Sequence, residues 1–294
     1  MWYFLALVID GALAGAIYAL IALAFVLVYK ASGIMNFALG EWVVFAAVLA
    51  GTGLHYLHLG TIGALILAAV GMIALAAGFY LLVARRLVAR PAISAIMVTL
   101  GLGMVMRGSG LLVFSGAPAL FPPSLLSDPV LVGDVAIAAG KLIAAGVAVL
   151  CVALIGGFWR FSRTGIALRA IADDPQAAMA SGIDVDRQLT IVWSLAGMVA
   201  VVAGVLWTLV KGGGFGVALI GLKIFPIVIL GGLDSIAGTI VAAIAVGMME
   251  SLGAGYLDEF LGPGFGTIAP YLVLLAMLMV RPYGLFGQPR VERV

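Results

Sequence analysis

The chain has 294 residues, 65% of them hydrophobic and 10% charged, with a formal net charge of +2. Soluble domains carry about 25% charged residues, so a water-soluble globular protein is excluded. The near-neutral balance gives no ground for nucleic-acid binding, and the single cysteine, Cys151, rules out an intrachain disulfide.

Continuous apolar runs, each about 20 residues long, recur along the whole sequence. In lipid, only helices or closed barrels satisfy every backbone polar group. Barrel strands would alternate in short segments, and these runs do not. The expected fold is an all-α polytopic membrane protein, one transmembrane domain over residues 1–294, with roughly eight to ten membrane segments. No basic region precedes the first run, so a cleaved signal peptide is not expected.

The first predicted span is Leu5 to Tyr29. Its Gly11 and Gly15 form a GxxxG pair that permits close helix contact, Asp10 and Tyr18 are its polar members, and Lys30 closes it. Gly33 to Glu41 follows at once, placing Asn36 and Glu41 beside apolar sequence with no linker. It reads as an interrupted or re-entrant entry to a span reaching about Leu54. Glu41 has two readings: a functional intramembrane carboxylate, or an interfacial residue meeting Lys30 or a backbone amide. Trp42 to Ala84 holds no charged residue and is long enough for two spans, with His55 and His58 at the turn. No further ligand stands near these histidines in sequence, so no metal site is expected.

Arg85, Arg86 and Arg90 place the next loop in the cytoplasm by the positive-inside rule. Ile93 to Ser115 spans, with Thr99 inside it and Arg107 toward one end or facing the bundle. Residues 116–135 hold Pro118, Pro122, Pro123, Asp128 and Pro129 without Lys or Arg, and read as an external loop. Val135 to Phe158 returns, with Lys141 near its outer end.

Arg160 to Arg187 is the most charged segment. It holds Arg160, Arg163, Arg169, Asp173, Asp174, Asp184, Asp186 and Arg187. A charge at the centre of a spanning helix costs about 3 kcal/mol, so this segment lies in water or against a soluble partner. It also reads as ordered. Arg169 and Asp173 are spaced for an i, i+4 pair. Asp174-Pro175 is an N-cap followed by Pro at the first helical position, and Ser181-Gly182 is a helix stop. On pattern alone, a docking element and an ordinary loop remain open.

Leu189 to Val210 spans next, broken by Gly212-Gly213-Gly214. Pro226 and Gly231-Gly232 around a short apolar run predict a discontinuous helix. Ile236 to Leu252 spans with Glu250 near its end, Tyr256 to Gly266 is external, and Thr267 to Val280 returns. Arg281, Arg290 and Arg293 put the tail, residues 281–294, in the cytoplasm. Gly33–Ala38 faintly echoes Gly221–Pro226, the basis for expecting an inverted repeat. No P-loop, HExxH, CxxC or GxSxG occurs. The chain therefore reads as a non-enzyme, and an ATP-driven permease, a self-sufficient secondary transporter or channel, and a membrane enzyme are weighed in that order.

Four stretches carry a family resemblance. They are Gly11–Leu20 leading into Gly33–Glu41, Thr164-Gly165 with Arg169-Ala170, Asp173, Ala180 and Gly182-Ile183, Leu230–Leu233 with Ser235 and Gly238, and Arg281–Gly287. In order and over the full length, they resemble the LivH-type permease subunits of branched-chain amino acid ABC importers. Leu39 stands where that family often has His. The resemblance implies a bacterial inner-membrane, multi-pass permease for branched-chain amino acids, or for urea or short amides as in other relatives. It implies a LivM-like second permease, two ATP-binding subunits that carry ATP-Mg, and a periplasmic binding protein; no cofactor belongs to this chain. Arg169, Asp173, Asp174, Pro175, Ala177, Ala178, Ser181 and Gly182 would couple to the ATPase. Tyr18, Asn36, Glu41 and Thr99 are the candidates for the translocation path.

Overall fold

The computed structural model describes residues 2–88, 90–113, 129–132, 135–211, 220–281 and 284–287. The helices are α1 (Trp2–Ser32), α2 (Leu39–His55), α3 (Gly60–Leu82), α4 (Ala92–Val113), α5 (Ala139–Phe161), α6 (Arg163–Asp173), α7 (Pro175–Ala180), α8 (Val185–Lys211), α9 (Ile220–Gly231), α10 (Ile236–Tyr256), α11 (Asp258–Leu261) and α12 (Phe265–Val280). Among the described residues, six helices are long and apolar enough to cross a membrane, and α2, α9 and α12 are shorter apolar helices. The protein is a mostly helical, multi-pass membrane protein.

Three expectations need correction. The first concerns where a span starts: β1 (Pro129–Val132) pairs antiparallel with β2 (Val135–Ala138), Val130 opposite Ile137. The span expected from Val135 therefore begins at Ala139. Val130, Val132, Val135 and Ile137 are β-branched, which suits a pleated strand better than a helix. Second, Pro226 does not break its helix. It lies inside α9 as the seventh of twelve residues, and forfeits one bond, to the carbonyl of Leu222. The break falls at Gly232, at φ 97°. Third, Gly33–Ala38 is irregular while Gly221–Pro226 is helical, so their likeness does not extend to the backbone. Gly212–Gly214, Arg290 and Arg293, and most of the loop expected over 116–135, lie outside the described residues.

The chain forms two compact units. One comprises residues 27–125 and 150–222. Here α3 packs on α8 and α2, and α2 also packs on α8 and α4. Its centre is aromatic: the Trp193 ring lies 5.9 Å from Trp42 and 5.5 Å from Phe79. Trp42 and Trp193 are fully buried.

The other unit comprises residues 1–26, 126–149 and 223–294. The GxxxG pair expected to admit a neighbour does so: a Cβ on Gly11 would stand 2.6 Å from Met248 Cα, and one on Gly15 2.6 Å from Ile244 Cα. Packing against α10 therefore requires glycine at both. The tail segment returns to α9. Leu285 N–H donates to Leu230 O at 2.8 Å and Phe286 N–H to Gly231 O at 3.3 Å, satisfying carbonyls that the end of a helix leaves orphaned. After α10, Asp258 accepts from Gly266 N–H at 2.8 Å and Gly264 N–H at 3.1 Å. Those bonds hold its carboxyl below the usual carboxylate range.

Candidate functional site

The charged segment 160–187 folds as a helical bracket. Ser162 caps α6 by accepting from Gly165 N–H at 2.8 Å. A Cβ on Gly165 would lie 2.5 Å from Phe158 O, so this glycine lets α6 turn back tightly on α5. Leu168 and Ile171 bury one face of α6. Asp174 then caps α7, accepting from Gln176 N–H at 2.8 Å and Ala177 N–H at 3.0 Å, with Pro175 at the first helical position. The stop at Ser181-Gly182 is a Schellman motif. Ile183 N–H bonds to Ala178 O, Gly182 N–H to Met179 O, and Gly182 adopts φ 82°. The restart and the stop therefore lie where the residue pattern puts them.

Two expectations within the bracket change. Arg169 and Asp173 form no ion pair; Arg169 Nη2 donates instead to Arg160 O at 3.2 Å. An acid before a base is the favoured i, i+4 order, and here the base comes first. Ala178 is buried, 4% exposed, and so anchors α7 inward. Asp173, Asp174, Pro175, Ala177, Ser181 and Gly182 are exposed, and Arg169 is partly so. Sequence reasoning missed Met179, 55% exposed, and Ile166, 53% exposed. Two large apolar side chains on the outer faces of a charged segment were the signal.

Behind the bracket, α8 starts at Val185, four residues before its apolar run. Asp184 Oδ1 accepts from Arg187 N–H at 3.0 Å. Tyr80 O–H donates to Asp186 Oδ1 at 2.9 Å, and the Tyr80 ring lies 6.3 Å from Trp193. Contacts therefore run from the first turn of α8, through Tyr80 and Trp193, to Trp42, the residue after Glu41.

Asn36, Glu41 and Thr99 converge in that same unit. Residues 33–38 are not helical. Asn36 Oδ1 accepts from Ala38 N–H at 3.1 Å, and Thr99 Oγ1 donates to Met35 O at 3.1 Å. Thr99, Gly103 and Arg107 form an i, i+4, i+8 stripe on α4 facing this break. A Cβ on Gly103 would sit 3.5 Å from Glu41 Cγ and 3.6 Å from Ala38 Cα. Arg107 Nε donates to Glu41 Oε1 at 2.9 Å, and its Nη2 reaches the same oxygen. Asn36 is 1% exposed, and its Nδ2 has no hydrogen-bond partner among the described residues. Burying a donor without an acceptor is costly, so this amide is suited to meet one.

Tyr18 belongs to the other unit. Its O–H donates to Glu250 Oε2 at 2.6 Å, while Lys223 Nζ donates to Glu250 Oε1 at 2.6 Å. Lys223 also lies 5.8 Å from the Tyr18 ring centroid. Asp10 pairs there with Lys141. The partners Arg107, Lys223 and Glu250 were not placed with the path residues from sequence. Their signal was present: a charge inside a span needs a counter-charge. Among the described residues, no group of three or more His, Cys, Asp and Glu is placed to hold a metal.

A family model described as branched-chain amino acid transport system / permease component matches residues 7–281. The chain belongs to this permease family. Its likeness to the LivH-type members holds over the full length. It is 30% identical to the high-affinity branched-chain amino acid transport system permease protein LivH of Escherichia coli (strain K12), covering 99% of this chain and 98% of that one. It is 26% identical to the permease protein BraD of Pseudomonas aeruginosa over 100% and 99% of the two chains. A probable LivH of Methanocaldococcus jannaschii is 36% identical over 47% of this chain and 46% of its own. Family permeases are transport proteins, and among its described residues this chain has six helices long and apolar enough to cross a membrane.

Proposed function

We propose that this chain is the permease subunit of an ATP-driven importer in the cell's inner membrane, carrying branched-chain amino acids inward. Beside it would work a LivM-like second permease, two ATP-binding subunits holding ATP-Mg, and a periplasmic binding protein. The reading is supported by the transport-system permease family and by the charged bracket, which is the observation that carries it. A soluble motor can move a membrane helix only through a stiff contact. The α6–α7 bracket is capped at both ends of α7, too charged for lipid, and exposes Ile166 and Met179 beside its polar residues.

In this mechanism the ATP-binding subunits hold α7, and their closure displaces α8. The Asp186–Tyr80 bond and the Trp193–Trp42 contact pass the displacement to α2 and so to Glu41. Asn36, Glu41 and Thr99, beside the irregular backbone of residues 33–38, are the candidates for substrate contact in their unit, and Tyr18 is the candidate in the other; irregular backbone at membrane depth is tolerable where protein buries it or it lines a cavity. External segments, Asp258-Glu259 among them, receive the binding protein.

Ala177 is exposed, whereas Ala178 is an anchor, so a charge at Ala177 tests docking without disturbing packing. Ala177→Glu is expected to lower substrate-stimulated ATP hydrolysis at least ten-fold in the reconstituted complex. Its own stability should move by no more than about 0.5 kcal/mol, as for other surface changes. Wild-type stimulation in that variant would remove α7 from the interface.

A further inference from the structure

We propose that Lys223, Glu250 and Tyr18 form a binding site for the charged ends of a zwitterionic α-amino acid. The proposal rests on the amino-acid reading above and narrows its substrate class.

All three residues lie within helices that an apolar environment surrounds. Tyr18 is 2% exposed, and the Lys223 and Glu250 side chains are 23% and 14% exposed. At 1.5 Å per residue, Tyr18 stands about 24 Å along α1, near the middle of that helix. Glu250 is the fifteenth residue of the 21 in α10. Secondary transporters build their substrate sites within such helices, near the membrane midplane. Ionisable groups there are costly and rarely kept for structure alone.

The arrangement is complete without a ligand, which is what a zwitterion site requires. Lys223 occupies Glu250 Oε1 and Tyr18 O–H occupies Oε2. Parting Lys223 from Glu250 would strand two charges in low dielectric, a heavy penalty. An α-amino acid removes that penalty at both ends. Its carboxylate takes Lys223 and its ammonium takes Glu250, while Tyr18 keeps its bond to the acid. Empty and loaded, the site has equal numbers of positive and negative charges. A neutral amide such as urea offers dipoles only and cannot replace either ion. The pair would thus admit amino acids and reject neutral amides.

The test is ATP-driven uptake of leucine by proteoliposomes holding the whole complex and its binding protein. The variants are Lys223→Met, Glu250→Gln and the neutral double, Lys223→Met with Glu250→Gln. If the two charges did no more than offset one another, the neutral double would assemble and transport as wild type, because uncharged residues of like volume often replace a buried pair without loss. A substrate site predicts the opposite: the double assembles with its partners by size-exclusion chromatography, yet takes up leucine at least ten-fold more slowly. Wild-type uptake by the double overturns the site and leaves the amino-acid reading standing. A double that no longer assembles assigns the pair to the fold and also overturns the site. Wild-type vesicles that accumulate urea or acetamide but not leucine overturn both readings together.

Discussion

At the scale of single residues, the membrane segments are governed by charge pairing. Among the described residues, three ion pairs join helices: Glu41 with Arg107, Asp10 with Lys141, and Glu250 with Lys223. Asp10, Glu41 and Glu250 are visible in the sequence as acids in apolar surroundings, and Arg107, Lys141 and Lys223 as matching bases. Which acid takes which base is not legible, because each pair joins positions 27 to 131 residues apart. Glu41 illustrates the consequence. Reading it against its chain neighbours suggested Lys30 or a backbone amide; its bonded partner sits on α4. Glu41→Gln keeps an acceptor for Arg107, which is half exposed and stays solvated. The expected stability loss is therefore small, about 1 kcal/mol. If Glu41 faces substrate, the KM for uptake should rise several-fold while the complex remains assembled. Unchanged uptake kinetics would make Glu41 a structural partner of Arg107.

At the scale of elements, α7 is the clearest case of local chemistry deciding structure. A six-residue helix cannot persist alone, since nucleation is unfavourable and few bonds follow it. Asp174 below and the Gly182 turn above hold it in shape. Asp174→Ala should cost about 1 kcal/mol locally. Deuterium uptake over 175–182 should rise while that of α8 stays as in wild type, and Asp174→Asn should restore protection. Equal uptake in the alanine variant would mean that packing at Ala178, not the cap, orders α7. These end signals were legible because they are short-range. The start of α8 was not: its charged first turn read as loop. An apolar pattern marks where lipid begins, whereas this helix continues past it, with Asp184 Oδ1 meeting the Arg187 amide.

At the scale of the whole molecule, orientation follows from the basic clusters. By the positive-inside rule, Arg85, Arg86 and Arg90, the 160–187 bracket, and Arg281 are expected on the cytoplasmic side, and Asp258 and Glu259, without a basic neighbour, on the external side. In a Cys151→Ser background, a membrane-impermeant maleimide should label Glu259→Cys in intact cells. It should label Ser181→Cys only in inside-out vesicles. Labelling of both from one side would refute the orientation and, with it, the bracket as a docking site for ATP-binding subunits.

Composition and periodicity alone established a helical membrane protein with broken segments near Gly33 and Gly232, because the energetics of lipid forbid most alternatives. Runs of residue types were likewise enough to mark the bracket and its ends. The tertiary structure decided what depends on contacts between distant positions. It paired the intramembrane charges, set Met35 and Glu41 against Thr99 and Arg107 of α4, and placed Tyr18 instead with Lys223 and Glu250. It also turned Ala178 inward, and it paired residues 129–132 with 135–138 as two strands where a loop and the start of a helix were expected. The physical reason is common to all of these. A side chain's cost in lipid depends on its own chemistry, but the relief of that cost depends on a partner that only the folded chain brings near.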